Sequence, residues 1–187
     1  MSVQFATHHR FTVEAFQRMG ETGIFSPDDR VELIDGEIIE ITPVGSRHVA
    51  CVVALTRYFV QLLGQEASVS VQSPIQTTHA QPVPDVAILR PRADGYRDAL
   101  PAPSDVLLLI EVADSSVLFD RNVKSRLYAR EEIPEYWVID LTQNTVVVCR
   151  SPRGGEYAEV QEHGRDRSFT SPALGGREVR VEDLLGP

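Results

Sequence analysis

Two apolar segments with one amphipathic helix between them set the topology of this chain. Residues 106–112 (Val-Leu-Leu-Leu-Ile-Glu-Val) and 136–140 (Tyr-Trp-Val-Ile-Asp) are apolar almost without a break, the pattern of β-strands covered on both faces. Between them, residues 120–131 read as a helix, with Leu127 and Tyr128 in its body and Asp120 near its start as a cap. A strand, a helix and a strand within this length make a right-handed crossover, so the two strands are expected to lie parallel. Strands buried on both faces need cover on each side. The expected fold class is therefore α/β, a mixed central sheet flanked by helices.

The rest of the chain fits around that unit. Thr12 can cap a short helix over 13–19, with Phe16 and Met19 on its apolar side and Gly20 ending it. Residues 30–41 read as a β-hairpin, because Asp35-Gly36 is the dipeptide a two-residue type I′ turn demands. From 46 to 63, Val49, Val52, Val53, Thr56, Phe59, Val60 and Leu63 follow helical spacing, and Gly64 punctuates the end. Short strands are expected at 69–71 and 75–78, and a third core strand at 83–89. Beyond Leu141, segments 145–149, 156–160, 166–170 and 178–181 alternate with Gly/Pro/Asn/Ser-rich turns, which predicts an antiparallel meander laid on the core. The 187 residues are expected to form one domain (1–187), with a core over about 12–148 and C-terminal strands over 149–187.

Composition excludes some functions. With 18 basic against 27 acidic residues, the net charge is −9, which argues against broad, sequence-independent binding to nucleic acid. Two local clusters remain, Arg90/Arg92/Arg97 and Arg121/Lys124/Arg126/Arg130; taken alone, each reads as solvent-facing charge. Cys51 and Cys149 lie in apolar stretches without metal-ligand spacing, so buried free thiols are expected. The apolar runs fall far short of a membrane span and the N-terminus lacks a signal-peptide pattern, which makes the cytoplasm the expected compartment. No Gly-rich phosphate loop, chelating histidine pair or Ser/Cys nucleophile motif is present; His48 precedes the long helix and reads either as a residue over the cleft or, as is commoner for a single histidine, as structural.

What stands out chemically is Lys124, the one lysine beside seventeen arginines. Arginine is a planar fork, whereas lysine is a compact charge on a flexible stem that can hold a water or a phosphate oxygen. It follows Glu111 by thirteen positions (124 − 111 = 13). Asp85, after Pro84, interrupts an apolar strand and shares a face with Val83 and Ala87; Glu111 ends the next, sharing a face with Leu107 and Leu109. Two buried carboxylates on neighbouring strands repel unless a proton or cation lies between them. An oxygen-only pair suits Mg2+ or Mn2+, with water and a strand carbonyl, the nearest being that of Val112, completing the shell. The alternative for the acids is structural: Asp85 capping a turn and Glu111 paired with an arginine such as Arg121.

These residues resemble a family. Val-Glu-Leu-Ile-Asp-Gly-Glu at 31–37, Val-Pro-Asp-Val at 83–86, Ile-Glu-Val at 110–112, then Lys124, Tyr128 and Glu-Tyr-Trp-Val-Ile-Asp at 135–140 look like the Uma-type (Uma-two) restriction-endonuclease family of the PD-(D/E)XK nuclease superfamily. The superfamily's proline–aspartate matches Pro84-Asp85, and its second acid matches Glu111. Its lysine usually stands two residues after that acid, where this chain has Ala113, and Lys124 on the following helix is the natural replacement. Asp120, Lys124 and Tyr128 share one helix face by spacing. The resemblance implies a Mg2+-dependent endonuclease acting on DNA, with Asp85, Glu111 and the Val112 carbonyl holding the metal and Lys124 as catalytic lysine. It gives Glu32 a role in completing or tuning the metal shell, against the alternative of an exposed hairpin glutamate. It also implies steering of the DNA backbone by the two arginine clusters, and a homodimer meeting at the exposed edge of the C-terminal strands. The rival is a catalytically idle binding module on the same scaffold, favoured by the negative charge and by Ala113. A third possibility, hydrolysis of a small phosphate ester, would show itself as a narrow pocket in place of an open groove.

Overall fold

A computed structural model describes residues 8–26, 28–41 and 43–186. Its centre is a six-stranded sheet of order β3-β4-β5-β6-β7-β8, formed by Ser68–Val71, Val86–Leu89, Val106–Ala113, Glu135–Asp140, Thr145–Arg153 and Glu156–Gly164. Only β5 and β6 run parallel, Leu109 facing Tyr136 and Ala113 facing Asp140; every other pair in this sheet is antiparallel. The crossover between the parallel pair is helical, as the sequence predicts. It begins earlier than expected, at α3 (Val117–Phe119), widens into a π turn (Asp120–Lys124) and continues as α4 (Ser125–Arg130). Asp120 is therefore inside the helical run and is not its cap.

Strand alternation divides the core. Leu108, Ile110 and Val112 of β5, with Trp137 and Ile139 of β6, pack against α2 (Ser46–Leu63). Leu109 and Ala113, with Tyr136 and Val138, pack against Leu127 and Tyr128 of α4. Each of these side chains is withdrawn from water, and full burial of a Leu or Ile contributes about 1.5–3 kcal/mol. Leu107 does not share the face of Glu111 and Leu109: the β4–β5 register slips between Ile88 and Leu89, leaving Leu107 unpaired and turned to the α2 side.

The long helix has the expected ends, with Gly45 before it and Gly64 after it. Its buried stripe, however, is Cys51, Val52, Leu55, Phe59 and Leu63, while Val49, Val53 and Val60 are exposed. Apolar residues lie on both sides of this helix, so spacing alone does not choose the inner face. Residues 75–78 form no strand. The Ile75 and Thr77 amides go to Pro82 and Ala80 carbonyls, and the Thr77 hydroxyl accepts from the Ala80 amide, folding the segment on itself. At the C-terminus β7 and β8 extend the main sheet, while β9 (Ser168–Ser171) and β10 (Arg177–Arg180) pair separately before α5 (Val181–Leu184).

The hairpin of β1 (Val31–Ile34) and β2 (Glu37–Glu40) lies outside the main sheet. Asp35 and Gly36 both have positive φ (51° and 78°), as a type I′ turn requires. A Cβ at Gly36 would come within 2.7 Å of the Arg10 side chain, so close approach as well as backbone shape calls for glycine. Leu33 packs with Val13 and Phe16 of α1 (Val13–Glu21), which Thr12 caps. Backbone bonds between Leu33 and Gln81 tie the hairpin to the segment leading into β4. Glu32, pointing opposite to Leu33, is thereby delivered to the end of the main sheet. None of the described helices is long and apolar enough to cross a membrane.

Cys51 and Cys149 are buried and unpaired. Burial pushes their thiols up, to about 12 and about 11. At about pH 8 neither should react with iodoacetamide in the folded protein, and both should react in concentrated guanidinium. Mass spectrometry of the native protein checks this; rapid native labelling would contradict the packing of both sheet faces.

Candidate active site

One cavity of about 450 Å³ opens where β4, β5, the hairpin and the helical crossover meet. Glu32, Asp85, Glu111, Val112 and Lys124, the residues singled out from sequence, all line it. The local reasons differ. Glu111 and Ala113 alternate with Val112 on β5, so Glu111 faces the crossover helix. Pro84 precedes Asp85 just before β4, where the strand ladder has not begun. The π turn carries Asp120 and Lys124 inward together, both buried; wide turns of this kind recur at functional positions.

Lys124 is the hub. Its Nζ donates to Glu111 Oε1 at 2.9 Å and to Glu32 Oε1 at 3.0 Å, with all three side chains buried. Glu32 is 1% exposed, which removes the alternative of an exposed hairpin glutamate. Its Oε1 also accepts the Val83 amide at 2.9 Å. Tyr128, one helical turn beyond Lys124, donates its hydroxyl to Glu111 Oε1 at 2.8 Å. Lys124 thus reaches Glu111 from the helix, while Ala113, two residues after the acid, is fully buried beside Tyr128. Among the described residues Glu111 has no arginine partner; Arg121 pairs with Glu162 instead.

Asp85 is held separately. His48 Nε2 lies 3.0 Å from its Oδ2, the Val112 amide donates to the same oxygen at 2.9 Å, and Gln72 Nε2 donates to Oδ1 at 3.2 Å. His48 is 6% exposed, and its Nδ1 is buried without a partner among the described residues. Sequence reasoning did not link His48 to Asp85, since 37 positions separate them and no spacing rule spans that gap. Asp120, expected as a cap on the helix face of Lys124, also lines the cavity, with its Oδ2 2.5 Å from the Ser116 hydroxyl. Six acids therefore line the cavity: Glu32, Glu40, Asp85, Glu111, Asp114 and Asp120.

Electrostatics separate these groups. Burial opposes the Lys124 charge, but Glu111, Glu32 and Asp120 outweigh it and hold the ammonium well above its ordinary range. Lys124 thus remains protonated at any physiological pH. Burial drives the Glu111 carboxyl well up despite Lys124, and the charges of Asp120, Asp85 and Glu32 push the same way. Asp120 is raised chiefly by burial, against Lys124 and Ser116. Burial also pushes Asp85 up, yet His48, the Val112 amide and Gln72 more than offset it, leaving its carboxyl lowered. The cavity is short of positive charge.

That shortage bears on metal binding. Among the described residues no group of three or more His, Cys, Asp and Glu side chains is arranged to hold a metal ion. Mg2+ asks for less: it keeps several waters and commonly rests on one or two carboxylates. Among the described residues both donors to Glu111, Lys124 and Tyr128, take Oε1, and Glu111 lines the cavity with Oε2 left over. Hard oxygen donors with excess negative charge fit Mg2+ or Mn2+.

The arginine clusters do not line the cavity. Arg92, Arg97, Arg121, Arg126 and Arg130 are engaged by Asp94, Asp98, Glu162, Glu156 and Asp35 respectively. Arg90 donates to the Ser104 carbonyl.

Removing the hub cation should expose the imbalance. Lys124→Met leaves Glu32 and Glu111 buried without a counter-charge and should cost about 3–5 kcal/mol near neutral pH. Glu111 has a folded pKa raised above its unfolded value, so its protonated form favours folding at low pH and that contribution is lost as pH rises through the folded value. The deficit of Lys124→Met should accordingly shrink as pH falls toward about 5. Urea midpoints at both pH values check this; an equal deficit at both would mean that charge is not its cause.

Residues 13–182 match the model of the Uma2 family, described as "Putative restriction endonuclease". Among solved structures, a crystal structure of "a putative nuclease belonging to DUF820" from Anabaena variabilis ATCC 29413 superimposes with a TM-score of 0.72 over 94% of this chain and 97% of that one. At 17% identity that likeness is one of fold. No curated protein matches. The chain belongs to the Uma2 family.

Proposed function

We propose that this Uma2-family chain works as a single nuclease-like domain, a Mg2+- or Mn2+-dependent endonuclease that hydrolyses DNA phosphodiester bonds. The observation that carries this is the convergence of Glu32, Asp85, Glu111 and Asp120, among the six carboxylates of the cavity, on one permanently charged lysine at the end of the sheet. Asp85, Glu111 and the Val112 carbonyl would hold the cation. When bound, such an ion lowers the pKa of a coordinated water and neutralises charge on the scissile phosphate.

The protein's own groups have distinct tasks. His48, Gln72 and the Val112 amide fix the Asp85 carboxylate and keep it ionised. Tyr128 and Lys124 both take Oε1 of Glu111, which leaves Oε2 for the cavity. Lys124, being always protonated, does not act as a base. Two of its donors serve Glu32 and Glu111, and the third is available for a phosphate oxygen or for the attacking water, with the charge opposing that of the transition state. Asp120, with its carboxyl raised, is suited to take a proton from that water. Glu32 anchors Lys124 and adds to the negative charge that draws in a divalent cation.

The idle-module alternative has less support. Burying several acids and a lysine is costly and is no requirement of a binding scaffold. A homodimer belongs to the proposal, as cutting two strands asks for two sites. The open edge of β8 carries exposed Glu156, Glu159 and Glu162, of which Glu156 and Glu162 are already neutralised by Arg126 and Arg121.

Mn2+ binding should raise the melting temperature. At a hundred times Kd the gain is about 2.7 kcal/mol, roughly 5–10 °C for a domain of this size. Asp85→Asn should abolish the shift. Supercoiled plasmid should be nicked in a metal-dependent way, and Asp85→Asn and Lys124→Ala should each lower the rate by about 100-fold or more. Equal background in all three proteins, together with no thermal shift, would favour the idle module.

A further inference from the structure

The shape and charge of the cavity limit what can enter it. It is a partly enclosed pocket, open on one side: Ile39, Ile41, Pro43 and Val44 line it from the hairpin and the loop after it, and Phe119 lines it from the crossover helix. The acids and Lys124 supply a polar region, so the pocket combines an apolar lining with a few convergent polar groups. A volume of about 450 Å³ is that of sites taking a ligand of nucleotide size. Phe119 is half-buried and stands next to Asp120, so it offers an aromatic surface beside the reacting groups.

Duplex DNA is bound by neutralising many phosphates along its length. Here Arg30 and Lys124 are the only lysine or arginine side chains lining the cavity among the described residues. Lys124 is already paired with two carboxylates. The arginines of the two sequence clusters are occupied by neighbouring acids or a carbonyl. Glu40, Asp114 and Asp120 line the same cavity and would repel flanking phosphates.

We infer that the site takes a nucleotide out of the stack, so that its substrate is single-stranded, frayed or bulged DNA rather than continuous duplex. This rests on the nuclease function proposed above and names its substrate class. A base leaving the stack can lie on Phe119 and the aliphatic wall while its phosphate reaches Lys124 and the carboxylates. A scissile phosphate lies on the outside of a duplex, so it is the apolar and aromatic lining of the pocket that calls for an unstacked base, and stacking on an aromatic side chain supplies sequence-tolerant affinity. Nicking of supercoiled plasmid is compatible, since negative supercoiling opens the duplex locally.

The test compares one sequence as single strand, blunt duplex and duplex with a central unpaired bulge. Binding is measured by fluorescence anisotropy in Ca2+, and cleavage in Mn2+. The single strand and the bulge should bind, and be cut, about tenfold or more better than the duplex. The logarithm of the single-strand affinity should fall with the logarithm of salt with a slope no steeper than about −1.5, the value for two cations on a single strand. Phe119→Ala should raise KM about tenfold or more with kcat nearly unchanged, while Ile41→Ala gives a smaller rise at a position outside the core clusters. Duplex bound as tightly and cut as fast as the single strand would overturn the inference and leave the nuclease function standing. Tighter binding of the single strand with no cleavage supports this preference and counts against catalysis. Equal binding of all three with no cleavage overturns both.

Discussion

The fold is organised around a buried lysine held between two carboxylates. Lys124 comes from the crossover helix, Glu111 from the central strand β5 and Glu32 from a hairpin outside the sheet. No local interaction brings these segments together, and each must be positioned before the ammonium can leave water. Replacing such a cluster with apolar side chains of similar volume is often neutral or stabilising. Stability alone therefore does not explain its presence, which agrees with the chemical role proposed above. The excess of acid over base left after Lys124 is paired makes the site receptive to a cation.

The sheet positions this chemistry through alternation. One side of β5 and β6 builds the dry interface with α2, and the other carries Glu111 toward Tyr128 and Lys124. The wide turn at Asp120–Lys124 keeps two charged groups pointing inward at the cost of regular helix geometry. Ala113 completes the exchange. With the cation supplied from the helix, the strand position two residues past Glu111 is free to pack against Tyr128.

Much of this was legible in the sequence, for identifiable reasons. The apolar runs of β5 and β6 allow only a doubly covered sheet, and the intervening length allows only a crossover. Asp35-Gly36 fixes the hairpin and Gly64 ends the long helix. Lys124 stands out because it is alone. What escaped depends on long-range geometry. The inner face of α2 is set by what it packs on, since Val49, Val53 and Val60 are as apolar as the buried stripe. The burial of Glu32 depends on the Leu33–Gln81 pairing, and the contact of His48 with Asp85 depends on the placement of α2 across the sheet. Asp120 reads as a cap only if the helix starts there; Ser116 and the preceding turn start it sooner.

The central claim is that Asp85 and Glu111 hold a divalent cation beside a permanently charged Lys124. A crystal soaked in Mn2+ and measured at an X-ray energy that reveals manganese by anomalous scattering tests it directly. The account predicts one anomalous peak in contact with carboxylate oxygens of both residues, with the Lys124 ammonium still paired to Glu32. A crystal that gives no peak there, or one in which Lys124 Nζ occupies the position between the two carboxylates, would contradict it.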